Sequence, residues 1–212
     1  MTPLLVLFDV DGTLFLTHDP LAGRALSETL SERFGVELPE DALERVDHDG
    51  QTSLRIGRLV LRDAGLDEGE IDAGLEAWCA DFARRYLELL SDADTSAWAA
   101  APDAADALAG LVAAGHHLAL LTGNPEPVAR TRLERLGLAR FFRAGQGAFG
   151  CESESRGELI ARARARAGDW PGYRTVEVGD TAVDVSSAHE AGIRSLRVGP
   201  DTSLTVALAQ LG

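Results

Sequence analysis

The chain is expected to be an α/β protein in which a doubly wound parallel sheet is interrupted by a long helical insertion. Three observations predict this. Apolar runs of strand length alternate with segments of helical periodicity. Three of those runs finish abruptly in polar residues: 4–8 in Asp9-Val10-Asp11-Gly12-Thr13, 117–121 in Thr122-Gly123-Asn124, and 175–179 in Asp180-Thr181. Between the first and second runs, residues 17–97 carry helical spacing.

Strand one is expected over 3–9, where Leu4 to Phe8 are apolar without a break. Leu26, Leu30 and Phe34 then recur every four residues and mark one helix face, with Gly35 as its stop. A second helix is expected over about 52–64. A third spans about 69–90, where Ile71, Leu75, Trp78, Phe82 and Leu89 form a stripe that reads as bundle core. Ser91 to Thr95 forms the return linker. Residues 1–16 and 98–212 thus make a core, and 17–97 a helical insertion. The core resumes with a helix near 103–114, stopped by Gly115. After strand two at 117–121, Asn124-Pro125-Glu126 is a helix start: a capping Asn, a Pro in the first turn, and an acid near the positive end of the dipole. That helix ends near Gly137. A helix from Arg156 to Ala167, a strand at 175–179, a helix near 182–191 stopped by Gly192 and a strand at 193–198 complete the alternation.

Composition narrows the function. At 212 residues the chain accommodates one large domain or a core with a smaller partner, and 45% apolar content is ordinary for a globular protein. A net charge of -14 argues against nucleic-acid binding and requires a locally positive site for any anionic substrate. No run is long enough to span a membrane, and residues 4–8 are too short for a signal-peptide core. A cytoplasmic protein without membrane or nucleic-acid partners is expected, as a monomer or weak homodimer. Cys79 and Cys151 cannot build a disulfide framework and read as two reduced thiols. All 20 basic side chains are Arg, so chemistry that needs a Schiff-base lysine is closed.

If the three strands lie parallel and adjacent, Asp9, Asp11, Thr122 and Asp180 converge on one edge, where open α/β sheets bind ligands. Two carboxylates there can hold a divalent cation, and one can attack an electrophile while the other moves protons. Singly, the motifs have plainer readings: an Asp-Gly turn after a strand, or a Thr capping a helix. Their convergence is harder to assign to chance than any one of them.

The order of these motifs resembles the haloacid dehalogenase-like superfamily of phosphohydrolases. Asp9-Val10-Asp11-Gly12-Thr13 matches its first motif, Thr122 with Gly123 and Asn124 its second, Arg156 its third, and Gly179-Asp180-Thr181-Ala182-Val183-Asp184 its fourth. The resemblance runs from residue 9 to 184 and implies a Rossmann-like core. The intervening segment resembles the helical cap of phosphoglycolate phosphatase-like members.

By this resemblance Asp9 is the nucleophile that forms an aspartyl-phosphate. Mg²⁺ is the implied cofactor, held by Asp9, Asp180 and the backbone carbonyl of Asp11. Asp11 is the general acid and then the base. Thr122, Gly123, Asn124 and Arg156 bind phosphate, and Asp184 could touch the metal, orient a metal water or pair with Arg156, with a place behind the metal favoured. The cap loop 47–52 resembles a substrate-specificity loop, giving Gly50, Gln51 and Thr52 as candidates, although a polar turn capped by Thr52 or Ser53 explains it equally well. His48 is a weaker candidate for a metal ligand, and His116 and His117 read as structural.

The expected activity is hydrolysis of a small phosphorylated metabolite, with phosphoglycolate as the candidate. A phosphosugar mutase is the alternative within the superfamily, and a non-enzymatic binding module the alternative outside it. Asp11 speaks against dehalogenation, since the dehalogenases lack that second acid. Two departures bear on the substrate: Thr17-His18 stands where such enzymes often carry an acid-Ser pair, and Arg156 replaces the commoner Lys. The alternation Ala161 to Arg166 reads as a solvated helix surface rather than a nucleic-acid contact.

Overall fold

The computed structural model describes residues 2–211. A five-stranded, all-parallel sheet has the order β3-β2-β1-β4-β5. Its strands are β1 (Leu5–Phe8), β2 (His117–Thr122), β3 (Ala148–Phe149), β4 (Thr175–Gly179) and β5 (Arg194–Arg197). β1 and β2 are nearly continuous apolar runs, and β4 is buried along its whole length, because both faces of the sheet are covered. Alternate side chains go to opposite faces. Val6, Phe8, Leu118, Leu120, Val176 and Val178 enter one core with α4 (Ala104–Ala113) and α8 (Leu204–Leu208). Leu5, Leu7, Ala119 and Leu121 enter the other, against α6 (Arg156–Arg166) and α7 (Ala182–Glu190).

β1 lies in the middle of the sheet. The chain builds outward from it on one side through β2 and β3, then returns to its other side as β4 and β5. The crevice at the carboxyl end of β1 is therefore the switch point of the sheet.

Between β1 and α4 stand α1 (Pro20–Phe34), α2 (Ser53–Asp63) and α3 (Glu68–Ser91). Each begins at a side chain that satisfies an orphan backbone N–H: Asp19 for Leu21, Thr52 for Arg55, and Asp67 for Glu70. Their apolar stripes meet in a cluster of Leu26, Leu30, Leu61, Leu75, Trp78 and Phe82, among others. Trp78 donates its indole N–H to Thr29 at 2.8 Å, so even the polar atom of this core is satisfied. Val128 of α5 (Glu126–Arg135) joins the same cluster from the sheet side.

Three features differ from the sequence expectations. Cys79 of α3 and Cys151, just beyond β3, are joined in a disulfide rather than reduced. The two are 72 residues apart, and the packing of α3 with α5 and with the chain after β3 brings their Cα atoms to 5.7 Å; local spacing carries no trace of that contact. Asn124 does not cap α5, which starts at Glu126 after Pro125 with no side-chain cap. The Asn124 side chain turns instead toward Asp11 and Thr122. Finally, β3 is two residues long, below the length at which strand periodicity registers.

Candidate active site

The site sits at the carboxyl ends of β1, β2 and β4. Asp9 follows β1 directly, and its N–H still donates to Val178 of β4 at 2.9 Å, so the sheet fixes its backbone. It is 7% exposed. The chain then turns sharply. Gly12 has φ +73°, and a Cβ there would stand 2.2 Å from an Asp180 carboxylate oxygen. Glycine thus lets the first acidic motif lie against the fourth. Thr13 donates its hydroxyl to Asp180 at 3.1 Å and sets that carboxylate from below.

Carboxylate oxygens of Asp9, Asp180 and Asp184 all lie within 4.8 Å of one another. Asp184 is held by α7's capping box: one of its oxygens accepts from the Thr181 N–H at 2.8 Å and hydroxyl at 2.6 Å. Its other oxygen, Oδ1, receives no directed hydrogen bond, although it is paired with Arg156 by charge. Burial pushes the Asp9 carboxyl well above the usual range; Arg156 opposes this, and Asp184, Asp11 and Asp180 add to it. Burial raises Asp180 as well. Clustered hard oxygens from three acids, with the carboxyls of Asp9 and Asp180 both raised and one arginine at hand, mark a group of acids short of positive charge. A small divalent cation fits such a donor set.

Arg156 opens α6, placed by the Ser155 cap, whose hydroxyl accepts from the Glu158 N–H. Its side chain is 4% exposed. It reaches Asp9 at 3.3 Å and Glu177 at 3.2 Å, pairs with Asp184, and donates to the carbonyls of Gly50 and Leu121. Burial lifts Glu177 to about 7 against the pull of Arg156. One guanidinium therefore stands among three buried carboxylates.

Thr122 ends β2, fully buried, and its hydroxyl accepts from both the backbone and the side-chain nitrogen of Asn124. That leaves the hydroxyl proton free to donate. Gly123 has no room for a side chain: a Cβ would meet the Gln51 carbonyl at 2.1 Å. Ser53 donates its N–H and its hydroxyl to the Gly123 carbonyl, each at 2.8 Å. The loop before α2 is thus seated on the end of β2.

A cavity of about 390 Å³ opens over these groups. Asp9, Asp11, Thr122, Gly123, Asn124, Arg156 and Asp180 line its floor. Gly50 and Gln51 also line it, whereas Thr52 is buried and caps α2. The far wall carries Leu26, Leu43, Ile56 and Phe82 with His18 and His48. His48 is turned so that Nδ1 lies 3.0 Å from the Leu43 carbonyl. His116 and His117 lie away from the cavity, with His116 accepting from the Leu4 N–H and His117 paired to Gln146.

Two buried charged residues here were not singled out from sequence. Glu177 interrupts the apolar run of β4, and a charge in a fully buried strand was a usable signal. Arg132 lies 2% exposed on α5, next to Asp11, and the only sign of it was a basic residue one turn beyond buried Val128.

Comparison with known proteins agrees with this architecture. The family model of haloacid dehalogenase-like hydrolases matches residues 4–192. A phosphoglycolate phosphatase of Rhodospirillum rubrum is 31% identical over 90% of this chain and 77% of that protein. A Mycobacterium tuberculosis protein named tyrosine-protein kinase PtkA is 32% identical over 93% of this chain and 62% of that one. The crystal structure of CbbY from Rhodobacter sphaeroides with phosphate superposes with a TM-score of 0.63 at 22% identity, over 93% of this chain and 87% of that one. With its motifs gathered at the switch point of a parallel sheet and the family model covering most of its length, the chain belongs to the haloacid dehalogenase-like hydrolases.

Proposed function

We propose that this protein is a magnesium-dependent phosphomonoester hydrolase that acts on a small phosphorylated metabolite through Asp9. The carrying observation is the pairing of Asp9 with both Arg156 and the Asp180–Asp184 cluster on the floor of one cavity. Asp9, Asp180 and the Asp11 carbonyl would hold Mg²⁺, with Asp184 behind them. When bound, the ion offsets the negative charge of carboxylate and phosphate.

The chain's own groups do the rest. An Asp9 oxygen attacks phosphorus, the P–O bond of the ester breaks, and Asp11 gives a proton to the departing alcohol. Water then attacks the phosphorus of the aspartyl-phosphate, the Asp9 oxygen–phosphorus bond breaks to release phosphate and the free Asp9 carboxylate, and Asp11 takes up the water's proton. Thr122 donates its hydroxyl to a phosphate oxygen, and the Gly123 and Asn124 amides add donors. Arg156 orients Asp9 and lines the cavity; its Nη2 already serves Asp9, Asp184 and Leu121, so a phosphate oxygen would be met by Nη1, which donates to the Gly50 carbonyl.

Residues 17–97 would act as a cap that excludes water and recognises the leaving alcohol. Among the described residues lining the cavity, Arg156 is the only arginine. A second phosphate, as on the bisphosphate that a mutase requires, meets no cap guanidinium. This favours hydrolysis of a monoester over mutase chemistry. Phosphoglycolate, named by the relatives, would have, among the described residues lining the cavity, only His18 and His48 as basic neighbours for its carboxylate on the cap side. No helix among the described residues is long and apolar enough to cross a membrane.

The test is phosphate release from a panel of small esters, with Mg²⁺ and with chelator, for wild type and Asp9→Asn. Metal-dependent release that vanishes in the variant is expected. Release that survives Asp9→Asn removes the aspartyl-phosphate, and folded wild type that releases nothing overturns the hydrolase reading.

A further inference from the structure

Arg132 is a buried cation that the reaction above does not use. Its guanidinium is fixed on every side. The rings of Phe15 and Tyr86 approach it at 5.0 and 5.3 Å from ring centre to Cζ. Nη2 donates to Asp19 at 2.9 Å, and Nε to the Tyr86 hydroxyl at 3.1 Å. The Tyr86 hydroxyl in turn donates to Asp19 at 2.7 Å. The Asp19 side chain is 3% exposed, so its charge is matched by Arg132 and little else.

These contacts join α5 to the root of α1 and to α3, and they would suffice for a purely structural arginine. One nitrogen is left over, and it points into the site. Nη1 lies 2.7 Å from Asp11 Oδ1 and 3.3 Å from Asn124 Oδ1. The Asn124 amide nitrogen donates to the other Asp11 oxygen. The Asp11 side chain is 49% exposed and has no wall of its own. A carboxylate so exposed would rotate freely; donors on both of its oxygens fix its plane.

Resting on the phosphatase reading above, we infer that Arg132 is a positioning residue: it holds the Asp11 carboxylate in place for proton transfer and links that placement to the cap through Asp19 and Tyr86. The step it serves is balanced simply. The Asp9 oxygen–phosphorus bond forms, the phosphorus–ester oxygen bond breaks, and the Asp11 proton moves to the ester oxygen. Each carboxylate oxygen has a second lone pair, so a proton can be carried there while Arg132 and Asn124 keep their contacts.

Leaving-group dependence separates positioning from structural support. An alkyl phosphate needs its leaving oxygen protonated, whereas p-nitrophenolate departs without a proton. For Arg132→Gln, kcat/KM on glycerol phosphate should fall about 100-fold, within the range general acids contribute, and on p-nitrophenyl phosphate by about threefold or less. Asp11→Asn should show the same selectivity, and the double variant should lose little more than either alone. Arg132→Lys keeps a buried cation if the Gln variant does not fold; its single ammonium cannot hold Asp11, Asp19 and Tyr86 together, so the same selectivity should appear in weaker form. Equal losses on both esters, or additive losses in the double variant, overturn the assignment. Wild type inactive on both esters rejects the phosphatase reading instead, and this inference with it.

Discussion

Replacing Arg156 by Ala tests the charge balance of the site. The variant leaves Asp9, Glu177 and Asp184 buried, at 7%, 0% and 1% exposure, without their shared cation. Removing one partner of a buried ion pair costs about 3–5 kcal/mol, because the remaining charge stays desolvated. The pH dependence of this loss has a definite sign. Glu177 already titrates near 7 with Arg156 present, since burial outweighs the pull of the guanidinium. Without that pull its folded-state pKa rises further above the unfolded value of about 4.3, and Asp9 moves the same way. A raised folded-state pKa gives stability that is present at low pH and lost as pH climbs through it. The deficit of Arg156→Ala should therefore be larger at pH 8 than at pH 5. Urea unfolding in the presence of chelator measures it, with the slope m checked for constancy. Arg164→Ala, on the same helix, removes a 2.7 Å bond to the Trp170 carbonyl and should cost about 1 kcal/mol with little loss of activity. A deficit that grows at pH 5, or an Arg164→Ala effect as large on stability and turnover, would refute the charge argument.

Gly12→Ala adds a Cβ at a left-handed φ, worth about 1–2 kcal/mol, and drives it into the Asp180 carboxylate. Its half-saturating Mg²⁺ concentration should rise well beyond what that modest instability explains; an unchanged metal titration would detach Asp180 from the cation. Opening the Cys79–Cys151 bond frees a loop of 72 residues, for which chain entropy gives about 4 kcal/mol. Reductant should lower the urea midpoint of wild type and leave that of Cys79→Ser unchanged; a reductant-insensitive wild type would show that the bond adds no stability in solution.

The alternation of strands and helices was legible because β1 and β2 are short apolar runs and several helices carry their own stop, such as Gly35, Gly115 or Gly192. The placement of Asp9, Thr122 and Asp180 on one edge followed from the same reading, since a residue at the carboxyl end of a parallel strand has one place to go. What escaped was long-range. β3 exists because Ala148 and Phe149 find Leu121 and Thr122, two pairings that no local pattern announces. The disulfide exists because the helical insertion packs its cluster against Cys151 beyond β3, so a count of two cysteines pointed to reduced thiols.

The missed charges have a common physical origin. Sequence patterns assign charged residues to water, and a buried charge is recognisable only by the partners that make it tolerable. Glu177 is tolerable because Arg156 arrives from α6, and Arg132 because Asp19 and Tyr86 arrive from the helical insertion. In both cases the partner comes from a different part of the chain, at separations of 21, 113 and 46 residues. Such an arrangement is expensive to assemble for stability alone, because well-packed apolar side chains do as well. Both charges lie within one contact of the acids to which the proposed reaction gives roles: Glu177 behind Arg156 and Asp9, and Arg132 beside Asp11. Buried charge in this fold is thus concentrated around the carboxylates of the proposed site, which places Arg132 beside that site and favours its assignment there over a purely scaffolding one.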